Sequence, residues 1–308
     1  MSESISVVIP IFGQQSVLEP LASRLGQTLA QLTDTHEIIL VNDGSPDQSW
    51  EVIKRLAKNN PRIKGINLSR NFGQHHAISA GLDHAQGDWV VVMDGDLQDQ
   101  PEEIAKLYSG VKKGFDMALA KRKERQDTLR KKISSKLFYF VFNFLSNASM
   151  NNKVANFGIY SKDVIQQIVR MKEQTRFFPA FINWVGFSKV YVDVNHSQSD
   201  GGKSTYNLKK LIRLAEISIL SYSDKPIRLT VQMGLSLSFL SILGGVYFIC
   251  RKLFLGVPIT GWTSLMVSLY FIGGLILFNI GVLGLYIGRI FEETKNRPLY
   301  LIKDRVNI

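Results

Sequence analysis

The chain has 308 residues, a formal net charge of +11 and one cysteine. A single cysteine excludes an internal disulfide framework, and the length allows one domain of about 220 residues with an appended module. The Lys and Arg excess flanks apolar segments and one loop instead of following an aromatic RNA-binding motif, so phosphates and anionic lipid headgroups fit the charge and nucleic acid does not.

No signal-peptide pattern opens the chain, because residues 1–3 run straight into a short apolar segment. Strand-like runs at residues 5–11, 37–41, 63–68 and 89–93 alternate with helix-like stretches at 18–33, 48–59 and 75–84. That alternation predicts an α/β fold with a mainly parallel, Rossmann-like sheet and helices on both faces. Ligands of such sheets bind beyond the carboxyl ends of the strands. Four polar loops fall at those ends, at residues 10–14, 42–45, 69–73 and 94–98.

The last of these loops begins Asp94-Gly95-Asp96, where an apolar run gives way to two carboxylates. Carboxylate oxygens suit Mg²⁺ or Mn²⁺, and an ion held by one or two of them keeps positions open for substrate phosphates. Gln98 adds an amide oxygen. Taken alone, the tripeptide reads first as an ordinary Asp/Gly turn, and only the neighbouring loops shift that reading. Asp43, in Asn42-Asp43-Gly44-Ser45, suits a base or ribose contact, and the same four residues suit a helix cap. Arg70 places a cation where a diphosphate would lie. His75 and His76 lack metal-site spacing and read as sugar contacts or surface residues.

Residues 121–132 form a basic loop holding Lys121, Arg122, Lys123, Arg125, Arg130, Lys131 and Lys132. An aromatic, apolar segment follows at 133–150, and its composition predicts a helix lying in the headgroup region. A second amphipathic stretch, 206–228, reads as a juxtamembrane helix. No charged residue occurs from 229 to 250 or from 265 to 288. Each stretch is long enough for a hydrocarbon core of about 30 Å, so residues 229–288 are expected to hold two transmembrane helices joined by a short extracytoplasmic loop. Lys203, Lys209, Lys210, Arg213, Lys225 and Arg228 precede the first span, and Arg289, Lys295, Arg297, Lys303 and Arg305 follow the second. The positive-inside rule then puts residues 1–205 and a tail at 289–308 on the cytoplasmic face of the plasma (inner) membrane. Cys250 falls within a span and packs there.

Set side by side, Val7-Val8-Ile9-Pro10, Asn42-Asp43-Gly44-Ser45, Ser69-Arg70-Asn71-Phe72-Gly73, Asp94-Gly95-Asp96-Leu97-Gln98-Asp99, Gly202-Lys203-Ser204-Thr205-Tyr206 and Arg297-Pro298-Leu299-Tyr300 resemble, in register, the family 2 glycosyltransferases. The likeness is to those acting on polyprenyl phosphates, the dolichol-phosphate mannose synthase and bactoprenol glucosyltransferase group.

The resemblance implies a GT-A fold, a nucleotide-sugar donor and inverting transfer of a hexose-type sugar onto a polyprenyl (undecaprenyl-type) phosphate. UDP is expected as the nucleotide. By position, Asp94, Asp96 and Gln98 hold the metal, with Asp94 and Asp96 the catalytic pair. Pro10, Phe12 and Asp43 meet the nucleoside, Arg70, Asp94 and Lys203 complete the nucleotide-sugar site, and Arg122, Arg130 and Ser134 meet the acceptor phosphate. The sequence is compatible with a homo-oligomer.

Three places depart from the family pattern. Gly13-Gln14 follows Phe12 where Asn-Glu is usual, Asn156-Phe157-Gly158 stands where Asp-Phe-Arg is common, and Ser199 or its neighbours stand where an Arg commonly precedes the Gly. Asn156 cannot act as a base, which fits an acceptor phosphate that is already ionised. The alternatives are transfer to a lipid-linked oligosaccharide, which needs a carboxylate base, and a non-catalytic membrane scaffold. A lipid-sugar flippase is disfavoured by having two spans.

Overall fold

The computed structural model describes residues 3–122, 154–195, 225–255 and 261–308. Two compact units emerge: one contains the described residues up to 195 together with 297–308, and the other contains 225–255 and 261–296.

In the first unit, β1 (Ile5–Ile11), β2 (His36–Asn42), β3 (Ile63–Leu68) and β4 (Trp89–Val92) are crossed over by α1 (Leu18–Leu32), α2 (Ser49–Asn59) and α3 (Gln74–Leu82). All seven residues of β1 are buried, an apolar run without alternation, as a strand covered on both faces requires. α1 buries Leu18, Leu21, Ala22, Leu25 and Leu29, a three-to-four-residue spacing that packs one stripe on the sheet.

Further on come α4 (Ile104–Val111), β5 (Met117–Arg122), β6 (Val154–Ser161), α5 (Lys162–Arg170), α6 (Phe178–Trp184) and β7 (Lys189–Val194), and finally β8 (Ile302–Val306). The sheet runs in the order β7-β5-β6-β4-β1-β2-β3-β8. β1 pairs in parallel with β2 and β4, β2 with β3, and β5 with β7. Antiparallel pairings join β4 to β6, β5 to β6 and β3 to β8. The fold is GT-A-like: a parallel half built by crossovers, and a mixed half built around β6.

β8 lies in what the sequence suggested was a plain tail. It closes the β3 edge of the sheet, with Gly65 opposite Val306 and Asn67 opposite Asp304. Its signal is weak because Lys303, Asp304 and Arg305 break the apolar pattern, and four of its five residues are exposed. Side-chain bonds compensate. Asn307 donates to Ala57 O at 2.7 Å and Ile63 O at 2.9 Å, and Trp50 Nε1 donates to Asp304 at 3.3 Å.

The second unit holds α7 (Lys225–Leu255) and α8 (Trp262–Thr294), of 31 and 33 residues. At 1.5 Å per residue they extend about 46 and 50 Å, long enough to cross a membrane. Both are candidate spans by length and composition. Lys225 to Arg228, expected at the end of a separate juxtamembrane helix, begin α7 itself. Arg130, Ser134, Lys203 and the stretches 133–150, 206–224 and 256–260 lie outside the described residues.

Candidate active site

The ends of β1, β2 and β3 are tied into one rim. Asp43 N donates to Ile11 O at 2.9 Å, Asn42 Nδ2 to Asn67 Oδ1 at 2.8 Å, Ser45 Oγ to Asn42 Oδ1 at 2.5 Å and Gly13 N to Ser45 Oγ at 3.1 Å. The Asp43 carboxylate turns towards the next loop, where one oxygen accepts from Phe72 N at 2.7 Å and the other from Gly73 N at 2.9 Å. Burial pushes the Asp43 carboxyl above the usual carboxylate range, against the opposing pull of those two amides and of Arg70. Gly44, at φ +63°, lets the chain turn here, since a Cβ on it would lie 2.5 Å from the Arg70 carbonyl carbon and from Asn71 N.

The loop so fastened delivers α3. Gly73, at φ 101°, caps that helix, and Gln74 is its first residue. Gln74 Nε2 donates to Asp94 Oδ1 at 2.6 Å, so the first turn of α3 meets the carboxylate loop after β4. A helix N-terminus favours negative charge through its unpaired amides and its dipole. Arg70 stacks on Phe72, with the guanidinium 4.0 Å from the ring centre.

The loop after β4 is tightly framed. Asp96 Oδ1 accepts from Gln98 N at 3.0 Å, Leu97 between them sits at φ 59°, and Leu97 packs on the hydrophobic core. Gly95 lies against Gln14, because a Cβ on Gly95 would come 2.5 Å from Gln14 Oε1. That amide oxygen is buried and has no hydrogen-bond partner.

These residues fit a hard divalent ion. The donors are all oxygen, from Asp94, Asp96 and Gln98, and an orphaned amide oxygen of Gln14 lies beside the same loop. Among the described residues, no three His, Cys, Asp or Glu side chains gather into a closed cage. Two carboxylates that leave coordination positions for substrate phosphates match Mg²⁺ or Mn²⁺ chemistry.

His75 and His76 sit behind this rim and not on it. His75 packs edge-on against Phe177 with ring centres 5.1 Å apart, and its Nδ1 is enclosed without a partner. Burial, helped by the charges of His76 and Arg176, pushes its pKa down to about 4, so the ring is neutral at pH 7. His76 Nε2 lies 3.2 Å from Gln174 O, and burial lowers its pKa as well. Arg176 is buried, donates to Ser79 Oγ at 2.9 Å and lies over Phe181 at 4.7 Å.

The structure thus brings Asp43, Arg70, Asp94, Asp96 and Gln98 to adjoining loops. Pro10 is buried within β1, opposite Val41. Phe12 is 51% exposed just past the strand, as a base-stacking residue needs. Arg122 ends β5. Sequence reasoning passed over Gln74 and Arg176. Neither carried a signal in the sequence: the partner of Gln74 lies twenty residues away, and Arg176 is a lone arginine.

A GT-A-like sheet with a two-carboxylate loop at its rim is a nucleotide-sugar transferase architecture, and the comparisons agree. The profile of Glycosyl transferase family 2 matches residues 6–169, more than half of the chain, and the protein belongs to that family. It is 37% identical over 303 residues to the bactoprenol glucosyl transferase of Shigella phage SfX, covering 98% of this chain and 99% of that one. It is 36% identical over 301 residues to a prophage bactoprenol glucosyl transferase homolog of Escherichia coli K12, covering 97% and 98%. A mannosyltransferase from Pyrobaculum calidifontis, solved with GDP-Man and Mn²⁺, shares the fold with a TM-score of 0.51 at 14% identity, over 74% of this chain and 65% of that one.

Proposed function

We propose that the protein transfers a hexose from a nucleoside-diphosphate sugar, UDP-linked, to a polyprenyl phosphate, with inversion at the anomeric carbon. The observation that carries this is the Gln74–Asp94 bond at 2.6 Å, which joins the carboxylate loop to the N-terminus of α3 at the ligand-binding rim. The near full-length likeness to bactoprenol glucosyl transferases supports the lipid acceptor.

Asp94, Asp96 and Gln98 would hold Mg²⁺ or Mn²⁺, which supplies charge neutralisation for the departing diphosphate. Arg70 and the first turn of α3 present positive charge to the same phosphates. Phe12 stacks on the base, Pro10 shapes the strand end beneath it, and Asp43 serves the nucleoside side by holding the loop of residues 69–73 in place. Lys203 is assigned to the donor phosphates, and Arg122, Arg130 and Ser134 to the acceptor phosphate.

A phosphate monoester is mostly ionised near neutral pH, so its oxygen attacks without a base. The new bond from that oxygen to the anomeric carbon forms as the bond to the diphosphate breaks, and the electron pair leaves with the nucleotide. β6 carries Asn156, which cannot accept a proton from a sugar hydroxyl, so a phosphate acceptor is favoured over an oligosaccharide one. Positive charge before α7 and after α8 supports a catalytic unit on the cytoplasmic side of the inner membrane.

The test incubates the full-length protein with polyprenyl phosphate and labelled UDP- and GDP-sugars, with Mn²⁺ or a chelator. Metal-dependent label in the organic phase is expected from a UDP-hexose. Nucleotide binding without transfer from any donor would refute the reading in favour of an oligosaccharide acceptor or a scaffold.

A further inference from the structure

We propose that residues 297–301 are a positioning strap that sets α3, and through Gln74 the carboxylate loop, in its working place; this rests on reading Asp94 and Asp96 as the metal loop. The strap grips α3 and the segments bracketing it in three places. Leu301 O accepts from Ser69 N at 2.9 Å, where the loop leading into α3 leaves β3. Arg297 O accepts from Gln174 Nε2 at 2.6 Å, and the backbone oxygen of Gln174 lies 3.2 Å from His76 Nε2 in the first turn of the helix. Tyr300 Oη donates at 2.5 Å to Asp83, the residue that ends it.

The strap leads into β8, and its own hold on the unit is mainly polar. Arg297, Pro298 and Leu301 are exposed, Leu299 and Tyr300 are half-buried, and no strap residue belongs to the core, so polar bonds do most of the holding. Pro298 reduces the entropy lost on ordering it. α3 is short, so fixing its start and end fixes Gln74, whose amide holds Asp94. The Ser79 hydroxyl, which donates to His75 O at 2.9 Å and accepts from buried Arg176 at 2.9 Å, stiffens the helix between the two grips. Because the strap follows α8 by two residues in the chain, the catalytic unit depends on residues that come after both candidate spans.

The test compares full-length wild type, Tyr300→Phe, Asp83→Ala and Asp83→Asn in lipid nanodiscs. Three quantities are read: hydrogen exchange over residues 69–82, Mn²⁺ affinity in the presence of UDP, and turnover resolved into kcat and KM. Tyr300→Phe and Asp83→Ala should each speed exchange in that segment and weaken Mn²⁺ binding or lower kcat about tenfold, the scale of one hydrogen bond to a charged acceptor. KM for the lipid should stay within about twofold, since the strap bonds lie on the donor side. Combining the two substitutions should cost no more than either alone. Asp83→Asn keeps an acceptor oxygen but not its charge and should fall between wild type and Asp83→Ala. Faster exchange or a lower Tm with unchanged Mn²⁺ affinity and kcat would show a merely structural tail and overturn the proposal, as would unchanged exchange. Wild type that binds no Mn²⁺ with UDP would instead refute the metal reading on which the strap rests.

Discussion

The loops after β2 and β4 look alike in sequence, Asn-Asp-Gly against Asp-Gly-Asp, yet their carboxylates have opposite fates. Asp43 is 3% exposed and gives both oxygens to the amides of Phe72 and Gly73. Asp96 is exposed, and its carboxylate closes a local turn through Gln98 N while facing solvent. Where its lone pairs go decides whether a carboxylate is spent on building the rim or stays open to a ligand. The residue types around it do not tell the two apart.

The sharpest way to break this contrast is Asp96→Ala. It should lower transfer about 1000-fold, the scale of removing a key electrostatic group, while Tm stays within a degree or two. An unchanged rate, measured as label extracted into organic solvent, would remove Asp96 from the metal site.

Asp43→Ala should do the reverse and first cost stability, about 2 to 3 kcal/mol in a denaturation experiment, because two loop amides lose their acceptor. Full stability with lost nucleotide binding would make Asp43 a direct ligand of the nucleoside instead.

The glycines extend the comparison. Gly44→Ala meets backbone atoms at a positive φ and should cost about 1 to 3 kcal/mol. Gly95→Ala meets mainly the movable end of Gln14 and the tip of Ile11, so it should cost less, about 1 kcal/mol, and act chiefly on metal affinity. Equal losses at both would show that the two loops are equally rigid.

A further contrast concerns pH. A His75 pKa of about 4 in the fold is depressed from the usual 6.5, so the stability that the neutral ring contributes is present above pH 6.5 and is lost as pH falls through 4. His75→Gln should remove a pH-dependent change in stability of about 3 kcal/mol between those limits. An unchanged slope would mean that the ring charges freely in place.

The parallel half of the sheet was legible because its strands are unbroken apolar runs. β1 and β3 run as expected from residue 5 to 11 and from 63 to 68. The long apolar helices declared themselves by the absence of charge. β8 did not, since an edge strand held by Asn307 and Trp50 needs no apolar face of its own. Within the site, the carboxylates could be read from their position after a strand. Gln74 could not, because its importance lies in a partner twenty residues away, and His75 and Arg176 are defined by the burial that tertiary packing gives them.

Leu97 brings the framing of the carboxylate loop to a single residue. Its backbone is held at φ 59°, a region that a residue with a Cβ enters at a cost, while its side chain packs on the core. The loop is therefore cocked: anchorage pulls one way and torsional preference the other. A glycine would relieve the torsion but release the anchor, and an alanine would keep the torsion without the anchor. The turn that carries Asp96 is thus tied to the core through one side chain, and trimming the bulk at position 97 should loosen it.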